Sequence, residues 1–122
     1  MNAKDFRRIV QGMRDTIESS HMNHPDFRVN GKIFATLKHD EKTGMVKLTP
    51  DQQQEFIAED PKTFSLEAGA WGRMGCTRVV LATANEDTLG SALTQARQNI
   101  VDAMKKPAKR KRRKKPRSPG GP

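Results

Sequence analysis

Cysteine is almost absent from this chain. Cys76 stands alone, so no internal disulfide can form, and a reducing compartment suits the sequence. No apolar run approaches the roughly 18–20 residues that span a bilayer. The opening residues Met1-Asn2-Ala3-Lys4-Asp5-Phe6 contain no apolar signal core. A soluble, cytoplasmic protein is therefore expected. No Ser-His-Asp order, paired acid and base carboxylates or phosphate loop is present, so no enzyme class is indicated and no cofactor is implied. There is no internal repeat. Acidic residues are missing from one stretch altogether, and that absence organises the rest.

Residues 105–117 read Lys-Lys-Pro-Ala-Lys-Arg-Lys-Arg-Arg-Lys-Lys-Pro-Arg, with 10 Lys or Arg and no Asp or Glu. The whole chain has 23 basic and 14 acidic residues. Taking the 10 from the 23 leaves 13 basic against 14 acidic in residues 1–104, a net charge near −1. Such a run offers no apolar surface to offset the entropy of ordering, and its charges repel. It attracts polyanions, of which nucleic acid is the most abundant. Solubility, an acidic partner, a membrane surface or a targeting signal are the other uses of such a run. Residues 1–104 form a domain of a size that buries one core, and residues 105–122 form a disordered basic tail.

Phe6, Ile9, Val10, Met13 and Ile17 recur at spacings of three and four and predict a first helix. Ser19 to Pro25 reads as a polar connector. Phe27-Arg28-Val29 and Lys32 to Lys38 read as strands around Asn30-Gly31, the dipeptide of a two-residue type I′ turn. Asp40 to Gly44 makes a longer turn, and Met45 to Leu48 the next strand. Thr49-Pro50-Asp51-Gln52 carries a capping box with proline at the first helical position. A short strand at Phe64 to Leu66 and a glycine-punctuated loop at Gly69, Gly72 and Gly75 follow. Thr77 to Ala82 reads as a buried strand. Asn85 caps a last helix with Leu89, Leu93, Ala96, Ile100 and Met104 on its inner face. This order predicts an α+β fold: an antiparallel sheet of about five strands, with the N- and C-terminal helices packed on one face.

His21 and His24 have a spacing that could bring two imidazoles to one metal, but no Cys-x-x-Cys or carboxylate motif joins them, and no metal site is expected. Cys76 sits at a strand entry and reads as a buried or half-buried thiol rather than a nucleophile. Gly72-Arg73-Met74-Gly75 matches the G-x-x-G of KH domains, although that loop joins two helices. Trp71 beside Arg73 could stack on a base; the preferred reading is an anchor that pins the glycine-rich loop onto the domain.

Three blocks together resemble the MmcQ/YjbR family of small bacterial proteins: His24 to Leu37, Val46 to Gln53 and Gly69 to Gly75. The resemblance implies a CyaY-like, frataxin-type sandwich and a DNA-binding role with a double-wing arrangement. Iron handling does not carry over, since Asp5, Asp15 and Glu18 alternate with Arg7, Arg8 and Arg14 instead of forming an acidic ridge. The wing turn Lys38 to Thr43 is charge-balanced, whereas phosphate contact favours net positive charge. The expected function is non-enzymatic, sequence-tolerant nucleic-acid binding, to DNA rather than RNA. The phosphate-facing residues are Lys109, Arg110, Lys111, Arg112, Arg113, Lys114 and Lys115. In the body the candidates are Arg28, Lys32, Lys47, Arg73, Arg78 and Trp71. The alternative is an interaction or small-ligand-binding domain of unknown partner, with the tail as an accessory.

Overall fold

The computed structural model describes residues 1–21 and 24–105. Helix α1 spans Ala3–Gln11 and opens with a reciprocal cap: Asn2 Oδ1 accepts from the Asp5 N–H, and the Asp5 carboxylate accepts from the Asn2 N–H. Phe6 and Val10 face the core. The predicted helix runs too far. Gly12 ends it, Asp15 takes the left-handed conformation at φ 58°, and the chain reverses into strand β1, Thr16–His21. The Thr16 hydroxyl fixes the reversal by donating to the carbonyls of Val10 and Met13. Ile17, the last residue of the apparent stripe, is 67% exposed on this strand.

The expected polar connector is likewise a strand pair. Strand β2, His24–Val29, runs antiparallel to β1, with His21 opposite His24. Strand β3, Lys32–Leu37, follows across Asn30-Gly31, whose φ angles of 53° and 80° are those of a type I′ turn. Strand β4, Thr43–Lys47, completes a meander. Helix α2, Pro50–Glu59, begins with the expected Thr49 and Gln52 capping box. Strand β5, Phe64–Leu66, helix α3, Gly69–Arg73, and strand β6, Cys76–Val80, come next. A 3₁₀ turn at Leu81–Thr83 leads to helix α4, Glu86–Lys105, capped by Asn85 Oδ1 at 2.9 Å from the Thr88 N–H. The six strands form one antiparallel sheet in the order β1-β2-β3-β4-β6-β5. It has one strand more than the sequence predicts, and the extra one is β1.

A bulge between β2 and β3 decides what faces where. Arg28 lies opposite Ile33 and Phe27 opposite Ala35, so Phe34 is the extra residue. Phe34 and Ala35 then both enter the core, while Ile33 and Thr36 stay on the opposite face. The core packs Phe6, Phe27, Phe34, Phe64, Leu89 and Leu93 under α1 and α4. Phe6 and Phe27 have ring centroids 5.3 Å apart, and so do Phe56 and Phe64. Burying each such side chain is worth about 2–3 kcal/mol. Among the described residues no long helix lies over the other face of the sheet. Among the described residues no helix is long and apolar enough to cross a membrane.

Candidate functional site

The uncovered face of the sheet carries a cleft of about 500 Å³. Ile33, Thr36, Met45 and Cys76 line its strand side, and Ala68 and Trp71 line it from α3 and the residue before it. His24, Lys38, Lys47 and Glu67 supply its polar groups. The alternation of each strand accounts for this set. Thr36 pairs with Met45 and Lys47 with Cys76 on this face, while Ala35 and Val46 pair on the core side. A second groove of about 370 Å³ adjoins it, lined by Lys32, Met74, Ile100 and Met104 among others. Trp71, Lys47 and Cys76 border both hollows. A further hollow of about 620 Å³ lies beside α1 and α4, but its charged lining is Glu86 and Asp87, so it presents no cation to an anion.

Helix α3 holds Trp71 outward because its neighbours leave no other choice. A Cβ on Gly72 would lie 2.0 Å from the Glu67 carbonyl oxygen, and one on Gly75 would lie 1.9 Å from that of Leu48. Gly75 also has φ 111°, a conformation that side chains rarely adopt. The helix therefore seats Gly72 inward, and the ring one position earlier points away. Gln53, 1% exposed on α2, anchors the arrangement. Its Nε2 donates to the carbonyls of Gly72 and Cys76 at 3.0 Å each and to Thr77 Oγ1 at 3.2 Å. Trp71 is 64% exposed. The anchor reading of this tryptophan is thus corrected: glycine packing and Gln53 pin the segment, and the indole covers nothing large. Because a strand follows the Gly72 to Gly75 turn, the KH-like match does not describe this segment either.

Charge on this face is partly committed. Arg28 donates to both oxygens of the fully buried Asp26, at 2.8 and 3.2 Å, and these bonds raise the Arg28 pKa further. Arg28 is an internal partner more than a free cation. Lys38 Nζ lies 2.8 Å from Glu67 Oε2; the contact is charge pairing, since its angles do not make a hydrogen bond to that buried oxygen. Burial raises the Cys76 thiol pKa, with Lys47 opposing, so a thiolate nucleophile is disfavoured at neutral pH. Lys32, Lys47, Arg73 and Arg78 are exposed, and none forms an ion pair among the described residues. The fold places Lys32, Lys47 and Trp71 around one groove, Arg73 on the same short helix as Trp71, and Arg78 opposite Met45 on the uncovered face. Lys109 to Lys115 lie outside the described residues. His24, half-buried at the cleft, has its ring 6.2 Å from that of His39. Lys38, Glu67, Thr36 and Met45 were not singled out from sequence; outward alternation on β3 and β4 was the available signal for three of them, and Glu67 had none.

Residues 11–99 match the model of the YjbR family. The chain belongs to that family. Two solved structures share the fold of this YjbR-family chain. A Deinococcus radiodurans protein with a DUF419 domain aligns at a TM-score of 0.73 and 17% identity, over 90% of this chain and 86% of that one. A Pseudomonas syringae protein aligns at a TM-score of 0.61 and 17% identity, over 81% and 98% respectively. No curated protein matches.

Proposed function

We infer that this YjbR-family protein is a non-enzymatic nucleic-acid-binding protein, tolerant of sequence and acting on DNA, in which the basic run neutralises phosphates. The observation that carries the reading is the charge division: 10 cations and no acid within residues 105–117, against a nearly neutral remainder. Neutralised phosphates release counterions, so affinity comes with steep salt dependence and little base information. Two features of the folded part support it. The unpaired cations Lys32 and Lys47 line the groove that also holds Met104, and the basic run starts at the next residue, Lys105. The β3–β4 turn is a poor wing by comparison, because Asp40 and Glu41 offset Lys42, and Glu41 lies 3.7 Å from Arg7.

The test is duplex binding across a salt series. With about six phosphates neutralised, log K against log salt should fall with a slope of about −5. Replacing Lys109 to Lys115 by neutral residues should flatten the slope and weaken all sequences alike. A variant that keeps slope and affinity would remove the tail from the mechanism.

A further inference from the structure

We propose that the Trp71 surface receives an unpaired base, so that the protein engages single-stranded nucleic acid there: one base stacks on the indole, and the flanking phosphates meet Lys32, Lys47 and Arg73. The proposal rests on the nucleic-acid reading and specifies the form of the strand.

Large apolar side chains are exposed at only a few described positions, and three of them, Trp71, Met74 and Met104, at 64%, 66% and 47% exposure, border one groove. Gly72 and Gly75 take the inward positions, and the ring is presented to solvent. An aromatic face among unpaired cations is how proteins bind single strands, because every base has a π-face and every linkage has a charge. A duplex uses it only at the cost of unstacking its bases, because each is already stacked on both sides. Behind the ring, the 500 Å³ cleft is large enough for a base and has an apolar floor of Ile33 and Met45. Thr36 and the Lys38–Glu67 pair there offer hydrogen-bonding groups to a base edge.

Charge complementarity selects this occupant over the obvious rival. The rival is the chain's own basic run, which starts beside the groove at Lys105. That run is cationic, as are the exposed residues around Trp71, so it is repelled by the surface that attracts a polyanion. Its proximity serves a bound strand instead. The 10 cations of residues 105–117 follow Met104 directly in sequence, and phosphate contacts they make would add to the stacking as a linked second site.

The chain has one tryptophan and no tyrosine, so its intrinsic fluorescence reports on this position alone. The full-length protein is titrated at low salt with a short single-stranded oligothymidylate and with a duplex of equal length. Affinity is read from the anisotropy of labelled DNA, and stacking from tryptophan quenching. The single strand should quench Trp71 strongly, and the duplex should bind with little quenching. Trp71→Ala should weaken the single strand roughly 5- to 150-fold and leave duplex affinity unchanged. Trp71→Phe, which keeps an aromatic face, should recover most of the loss, and both variants should retain the wild-type circular dichroism. Binding of both forms without quenching, or equal loss of both in Trp71→Ala, overturns this proposal and leaves the nucleic-acid reading standing. No binding of either form overturns both. A change of fluorescence on neutralising Lys109 to Lys115 without DNA would assign the groove to the chain's own basic run, and that too overturns it.

Discussion

Gln53 is the side chain whose replacement tests most directly how the Trp71 segment is held. Its Nε2 has two hydrogens facing three acceptors, the carbonyls of Gly72 and Cys76 and the hydroxyl oxygen of Thr77. Two good hydrogen bonds are therefore at stake. In Gln53→Leu their loss is softened, because each carbonyl keeps another donor: the Gly75 N–H bonds to Gly72 O, and the Glu67 N–H to Cys76 O. No carbonyl is orphaned, so the cost should be about 2 kcal/mol, near 1 for each bond. Gln53→Glu is nearly the same shape but has no proton to donate once ionised, and it would aim negative charge at three oxygens. The carboxyl would have to stay protonated to fit. Its folded pKa is then raised above its unfolded value, and stability is lost as pH rises between the two. Holding a carboxyl of ordinary pKa about 4.3 protonated at pH 7 costs about 4 kcal/mol, shrinking by about 1.4 kcal/mol for each pH unit downward. Urea unfolding at several pH values measures both variants. If Gln53→Glu is as stable as the wild type at neutral pH, or shows no pH dependence beyond the wild type's, the amide does not donate to these groups and the account of the segment fails.

Gly75→Ala must relieve both a 1.9 Å approach to Leu48 O and φ 111°. It should cost about 3–5 kcal/mol in thermal or urea melts, and a loss below about 1 kcal/mol would mean that the turn relaxes freely. Arg8 donates to both oxygens of Glu86 at 3.1 and 2.9 Å, linking α1 to α4, and holds that carboxyl below its usual range. A depressed folded pKa stabilises above the unfolded value and ceases to do so as pH falls through the folded one. The melting-temperature difference between wild type and Arg8→Gln should therefore be present at neutral pH and vanish in strong acid; a difference that persists there would point to lost packing instead. Removal of residues 106–122 should leave cooperative unfolding and its midpoint nearly unchanged, since their sequence holds no large apolar side chain, and a large drop would mean that the stretch packs on the domain.

Local chemistry made much of the fold readable. Asn30-Gly31 specified a turn, Thr49 with Gln52 specified a helix start, and Asn85 specified another; each signal acts over four residues or fewer, and each appears as expected. The failures involve rules of longer range. Ile17 continues the spacing of the first helix so well that periodicity alone extends it, but a reversal at Asp15 and pairing with β2 claim it for a strand. Helix α3 is a single turn with two glycines, too short for periodicity and poor in propensity. The candidate cations were read correctly as residues and only partly as a site. Asp26, which takes Arg28 out of the free set, is buried, and a buried acid beside its own arginine has no distinct sequence pattern. The uncovered sheet face could not be foreseen, because the bulge at Phe34 decides which residues of β3 line it. Trp71 was misjudged because a lone tryptophan is usually buried, and its exposure follows from two glycines that must turn inward.

The strand order carries a dynamic consequence. Strand β6 sits between β4 and β5, so β5, three residues long, forms the sheet's edge. The shortest of the described strands is thus joined directly to the Trp71 helix through Glu67 and Ala68. Fraying of its Ser65–Leu66 end, next to Glu67, exposes only side chains that are already solvent-exposed, keeps Phe64 in the core and leaves the β1–β4 meander whole. Opening from this edge is a sub-global event with its own, smaller free energy, while the amides of β2, β3 and β4 wait for unfolding of the entire domain. The tryptophan surface belongs to the part of the protein that can loosen first, and hydrogen exchange in β5 and α3 would set the clock on which that surface changes shape.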